Sequence, residues 1–291
     1  MSRPVCGVLL LDKPVGLSSN AALQRVRRLL GADKAGHVGS LDPLATGMLP
    51  ICLGEATKVA GEILSGRKCY RFTIQLGART ATGDTEGEIV ERAPVPTLDR
   101  PYLEARLSKF VGPQDQVPPM YSAIKRDGQP LYKLARSGIE VERAPRRIEI
   151  FQLTLVEVDG ASVKLETLCS KGTYIRTLSE DIARALGTCG HVTALRRVYV
   201  EPFEHESMET LESVAAAPEG LKILPPDRPL AHLPAVSLEG ADAVRLQHGQ
   251  AVAGGIVAGT VRLYGGGGEF LGLGEADGQG TVRPRRLFAM R

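Results

Sequence analysis

The sequence holds no Cys-x-x-Cys pair; its five cysteines stand singly at positions 6, 52, 69, 169 and 189. An odd, dispersed set argues against a disulfide framework and against a structural zinc site. Most of them lie among apolar neighbours, as Cys52 does in Leu49-Pro50-Ile51-Cys52-Leu53, and read as buried thiols. Cys189-Gly190-His191 comes nearest to a metal pair and lacks partner ligands. Long apolar runs are also missing: none approaches the roughly 20 residues that cross a bilayer. The first residues carry one arginine before Asp12-Lys13 and lack the layout of a signal peptide, so a cytoplasmic protein without a membrane partner is expected. No nucleotide loop is evident, because the glycine run 265–268 is not followed by Lys-Ser or Lys-Thr and a helix. Nor does one sign of charge dominate: 36 basic against 33 acidic residues leave a net charge of +3.

With 43% hydrophobic and 24% charged residues, the 291-residue chain is an ordinary globular protein, long enough for one large domain and a small one. Its basic residues gather locally at Arg25, Arg27 and Arg28, at Arg143, Arg146 and Arg147, and at Arg196-Arg197. Any one cluster can be a solvated face; three on separate elements point to an anionic partner, since phosphates are held mainly by Arg and Lys.

Hydrophobic periodicity predicts strands over 5–11, 68–76, 148–158, 163–169 and 192–200, and a buried run over 49–53. Helices are expected from Ser18 or Ser19 to Leu30, over 55–64, from Asp99 to Phe110, over 131–136, after Gly172 and over 208–217. Asp127-Gly128 reads as a hairpin turn. Prolines, glycine and alanines over 215–229 read as a linker. Beyond it a short helix over 237–247 and three strands separated by glycine suggest a compact β-rich module. The expected division is therefore 1–225 and 230–291.

The chain is organised around Gly36-His37-Val38-Gly39-Ser40-Leu41-Asp42-Pro43-Leu44-Ala45-Thr46-Gly47. The following proline pushes Asp42 away from helical backbone. The flanking glycines permit sharp turns or a close ligand approach. The stretch reads as a rigid loop presenting one carboxylate and one imidazole. An Asp before Pro is by itself also a common turn initiator.

Four segments together resemble the bacterial TruB family of tRNA pseudouridine synthases. They are Leu10-Leu11-Asp12-Lys13-Pro14, the Asp42 loop running on to Gly54-Glu55-Ala56-Thr57-Lys58, Lys68-Cys69-Tyr70-Arg71, and Cys169-Ser170-Lys171-Gly172-Thr173-Tyr174-Ile175-Arg176-Thr177-Leu178. The likeness runs on through Met120-Tyr121-Ser122-Ala123 and the segment 191–197, covering nearly all of 5–200. The end module is similar to a PUA-type RNA-binding domain. Val38 departs from the family, which often has Thr there.

The resemblance implies an α+β catalytic domain, a mostly antiparallel sheet flanked by helices, followed by the small PUA-like β-rich domain. It implies isomerisation of uridine to pseudouridine at position 55, in the T-arm stem-loop of tRNA, by a monomer that needs no metal or other cofactor. Such a reaction detaches a flipped-out uracil, rotates it and rejoins it through carbon. A carboxylate beside the glycosidic bond suits that chemistry, and the resemblance assigns it to Asp42. Arg176 is implied as the partner that keeps Asp42 ionised. Tyr70 is implied as the stacking platform, with a hydroxyl able to move the C5 proton. His37 is implied to fill the gap left by the flipped nucleotide, Tyr174 and Leu195 to contact the base, and Lys13 to buttress the site or touch phosphate. Asp84, in Thr82-Gly83-Asp84, reads as a turn former. The stretch 114–147, bearing prolines and arginines, is expected to clamp RNA. Two further readings are a guided synthase that works inside an RNA-protein complex and an RNA-binding or folding module without turnover.

Overall fold

A computed structural model describes residues 5–126 and 128–289. Residue 127, half of the expected Asp127-Gly128 turn, lies outside the described residues. Nine strands form the main sheet: β1 (Gly7–Lys13), β2 (Ala35–His37), β3 (Thr46–Leu53), β4 (Lys68–Leu76), β5 (Gly112–Gln116), β6 (Arg146–Asp159), β7 (Ser162–Cys169), β8 (Gly190–Val200) and β9 (Ile223–Leu224). Their order is β9-β1-β3-β8-β4-β7-β6-β5, with β2 on β3. Every pairing is antiparallel except that of β3 with β8.

Side chains alternate across this sheet. Leu9 and Leu11 of β1 join the larger core with Leu49, Ile51, Ala22, Val26, Leu178 and Ile182, whereas Val8 and Leu10 join Met48, Cys52, Ile63 and Phe203 on the other face. A strand covered on both faces needs no polar alternation, and that is why β1 reads as an unbroken apolar run. Strand β7, by contrast, buries every second residue.

The helices obey their end signals. Helix α1 (Ser19–Leu29) is capped by Ser18, whose side chain accepts from the Ala21 amide. Helix α2 (Arg100–Leu107) is capped by Asp99, with Pro101 in its first turn. Helix α3 (Ile175–Ala185) follows the left-handed Gly172. The helix expected over 55–64 is instead a 3-10 turn, Gly54–Val59, followed by a short α-helix, Ala60–Ser65. None of the described helices is long and apolar enough to cross a membrane.

Two expectations about the C-terminal third are corrected. The stretch 215–229 is not a free linker: Leu224 pairs with Val8 at the edge of the main sheet, and Pro229 and Leu230 are buried. Apolar side chains spaced between the prolines find surfaces to cover, so the segment is held down. The region expected to open on a helix at 237 begins as a strand, Ala235–Leu238, burying Val236 and Leu238 alternately; its helix is Gly240–Gln247. That strand pairs in parallel with Ala258–Gly265 in a second, five-stranded sheet with its own core. The second sheet leans on the first through Val59, Leu230 and Leu273, and Lys58 Nζ donates to the Leu287 carbonyl at 2.7 Å.

Candidate active site

The loop carrying Asp42 leaves β2 at His37 and re-enters the sheet at Thr46 of β3. Its backbone is splinted at several points. The Ser19 hydroxyl, at the start of α1, donates to the Leu41 carbonyl at 3.0 Å and accepts from the Leu41 amide at 2.7 Å. The Gly16 amide donates to the Pro43 carbonyl at 2.8 Å. Gly39 (φ +68°) and Gly47 (φ +97°) hold left-handed backbone, and a Cβ on Gly47 would lie 2.1 Å from the Arg197 carbonyl oxygen. Gly36, also expected to bend the chain, lies in β2 opposite Cys52 and has no left-handed φ.

The splinted loop sets the Asp42 carboxylate against a buried guanidinium. Arg176 Nε is 3.0 Å from Asp42 Oδ2. Arg176 is 5% exposed and its fork is spent on carbonyls, Nη1 donating to Thr82 at 2.9 Å and Nη2 to Tyr121 at 2.7 Å. Asp84 Oδ2 lies 3.7 Å from Nη1, so one cation serves two carboxylates. Asp84 is a turn former, accepting from the Glu86 amide at 3.0 Å, and it is also fully buried beside Arg176. The sequence signal around it spoke only of a turn. Burial pushes the Asp42 carboxyl above its usual range; Arg176 pulls it back, Asp84 adds to the rise and Lys13 opposes it.

The other expected site residues gather around this pair. Lys13, wholly buried at the end of β1, donates to the carbonyls of Pro14 at 2.9 Å, Leu17 at 2.6 Å and Pro43 at 3.5 Å. It therefore buttresses the loop from inside and offers no surface to phosphate. Burial lowers its ammonium to about 8, against the raising pull of Asp42. Tyr70 is buried on β4 directly across from Arg197 of β8. Burial pushes its hydroxyl upward, with the Arg197 charge opposing and Asp42 reinforcing the shift. His37 is half-buried, and burial, then the Arg197 charge, lower its imidazole below 6.5. It is therefore a neutral ring at pH 7, suited to stacking rather than to gripping phosphate. Tyr174 caps α3, its amide and carbonyl both held by the Gln116 side chain, at 2.8 and 3.1 Å. Leu195 is a core residue of β8, opposite Phe72.

One basic cluster is not the phosphate patch its composition suggested. Arg196 is paired bidentately with Asp12, at 2.9 and 2.8 Å, and Arg197 is 1% exposed. On β8 the buried Leu195 and Arg197 flank the half-exposed Arg196, an arrangement that no reading of adjacent arginines reveals. Arg27, exposed on α1, donates to the Ala32 and Asp33 carbonyls.

The chain matches the TruB family pseudouridylate synthase (N terminal domain) over residues 27–175. The chain belongs to the TruB family, a group of isomerases that convert uridine to pseudouridine. Two TruB C-terminal models match as well: tRNA pseudouridylate synthase B C-terminal domain over 176–222 and Pseudouridine synthase II TruB, C-terminal over 234–288. Relatives named tRNA pseudouridine synthase B include that of Aromatoleum aromaticum, 50% identical with 99% of this chain and 94% of the relative covered. That of Nitrosococcus oceani is 52% identical, with 98% and 96% covered. Among solved structures, a Cbf5-Nop10-Gar1 complex aligns at a TM-score of 0.72 and 26% identity, covering 98% of this TruB-family chain and 84% of the other. The archaeal box H/ACA sRNP Nop10-Cbf5 complex aligns at 0.71 and 25%, covering 97% and 86%. The α+β architecture is thus that of pseudouridine synthases.

Proposed function

We propose that this protein is a stand-alone, monomeric, cytoplasmic tRNA pseudouridine synthase that acts on a uridine of the T arm. The relatives that match almost its whole length carry the name tRNA pseudouridine synthase B. The observation that carries the assignment of the centre is the Asp42–Arg176 pair, 3.0 Å apart, between a loop splinted by Ser19 and Gly16 and the start of α3.

The reaction breaks the C1′–N1 bond of uridine and makes a C1′–C5 bond; the C5 proton leaves and N1 ends protonated. Atoms and electrons balance without a redox partner or energy source. Asp42 supplies the carboxylate at the glycosidic bond. Arg176 keeps it ionised and aimed while RNA excludes water. The Tyr70 ring stacks on the extruded uracil; its hydroxyl takes the C5 proton only after passing its own phenolic proton to N1 of the uracil, a step burial resists by favouring the neutral phenol. His37 occupies the space the nucleotide vacates, Tyr174 and Leu195 wall the pocket, and Lys13 stays behind the loop as a strut.

Purified protein and an unmodified tRNA transcript test the reading. Pseudouridine should form with nothing else added, and Asp42→Asn should bind the transcript yet make no product. Full output from Asp42→Asn would overturn the assignment. Binding without product by the unaltered chain would point to a folding module, and a need for added RNA or protein would point to a guided enzyme. The stretch 114–147 contributes the Tyr121 carbonyl that accepts from Arg176 Nη2. As a clamp on RNA, it should gain hydrogen-exchange protection when tRNA is added.

A further inference from the structure

A guanidinium outside the Asp42–Arg176 pair lies beneath the same loop. Arg197 is 1% exposed, the largest fully buried side chain described, and no carboxylate pairs with it among the described residues. Its Nε donates to the Met48 carbonyl at 2.7 Å, on the far side of the loop. Its Nη2 donates to the Gly39 carbonyl at 2.8 Å and to that of Val38 at 3.4 Å, on the near side. One planar fork thus ties together the two ends of the span that carries Asp42. A buried charge is costly to keep without a carboxylate, and such a group is retained where its donors hold something in place.

The surroundings are cut to fit it. A Cβ on Gly39 would lie 3.0 Å from Arg197 Nη1, so glycine there makes room for the fork. Arg197 also stands opposite Tyr70 in the β8–β4 register, within cross-strand reach of that ring. The backbone of residue 197 pairs in parallel with Gly47, so the arginine is fixed to the loop by main chain as well as side chain.

We propose that Arg197 is a positioning residue for the isomerisation: its fork sets the height and angle of the Asp42 loop against Arg176 and Tyr70, without touching RNA. This rests on the proposed activity, and the test separates the two. A wild-type protein that makes no pseudouridine on a T-arm transcript refutes the activity itself. Given an active wild type, Arg197→Lys keeps the charge but replaces a fork with one donating head. Single-turnover rate on the transcript and equilibrium RNA affinity are measured side by side, with thermal unfolding as the check on folding. The rate should fall roughly 100-fold, the scale of an ångström-sized misplacement, while affinity stays within about threefold. Should Arg197→Lys not fold, Arg197→Gln keeps a planar donor and leaves the loop's own residues unchanged, and the same split is expected. A near-wild-type rate in the folded variant, or an affinity loss as large as the rate loss, overturns the proposal.

Discussion

Arg176 is the residue on which most of the site's electrostatics turn. It balances two carboxylates and two carbonyls from a position with almost no solvent. A lysine has no planar fork to match them, so Arg176→Lys should lower turnover by roughly 100-fold through lost alignment. Arg176→Met goes further: it strips Asp84 and Asp42 of their shared guanidinium and should cost about 3 kcal/mol in urea unfolding. It also removes the group that pulls the Asp42 carboxyl down, so the acid limb of the rate profile should move to higher pH. Even in the wild type that limb should sit above 3.8, because burial already raises the group. Tyr70→Phe separates two roles of one side chain: RNA binding and base stacking should survive while product formation falls, measured as pseudouridine yield against transcript affinity.

Among the elements, the join between loop and sheet is the most constrained. Gly47 has φ +97° and faces the Arg197 backbone at a distance no Cβ tolerates. Gly47→Ala should therefore break the short parallel pairing of β3 with β8 and cost more than the roughly 1–3 kcal/mol of backbone strain alone. The strand ends also carry buried ammonium groups. Lys13 closes β1, and Lys68 opens β4 while donating to the Leu64 and Gly66 carbonyls that end the Ala60–Ser65 helix. Burial lowers both from 10.5 to about 8. Between those values the unfolded chain binds more protons than the folded one, so stability rises with pH across that window. The penalty for holding the charge is fully present below about 8. The unfolding free energy of wild type minus that of Lys13→Met should therefore grow as pH is raised from 8 to 10.5, read by denaturant titration.

Over the whole molecule, two sheets with separate cores meet through few side chains. Leu230 is fully buried in that contact with Val59 and Leu273, and Phe270 and Phe288 pack edge-on with ring centroids 5.0 Å apart. Leu230→Ala should cost about 3 kcal/mol by leaving a cavity there. The same variant should speed limited proteolysis around 215–229, since Leu230 helps hold that segment down. Unchanged cleavage would mean that β9 alone anchors it.

Much of this was legible in the residues. The strand 68–76, the capped starts of α1 and α2 and the helix after Gly172 follow from period, cap and glycine, which are local rules. The Asp42 loop announced itself because Pro and Gly restrict backbone regardless of what surrounds them. Period two also lay in 235–238, but a four-residue alternation before a helix is too short to outweigh the helix signal. What no local rule supplies is partnership across distance. Whether Arg197 faces solvent or the underside of a loop depends on the register of β8 against β3 and β4, as does the opposition of Arg197 to Tyr70. Asp84 reaches Arg176 only because a turn and a helix more than ninety residues apart pack together. Sequence by itself determined the longer periodic strands, the capped helices and the loop that bears the carboxylate. Tertiary structure decided which charges are buried and which groups they hold, because desolvation and hydrogen-bond geometry exist only once distant segments meet.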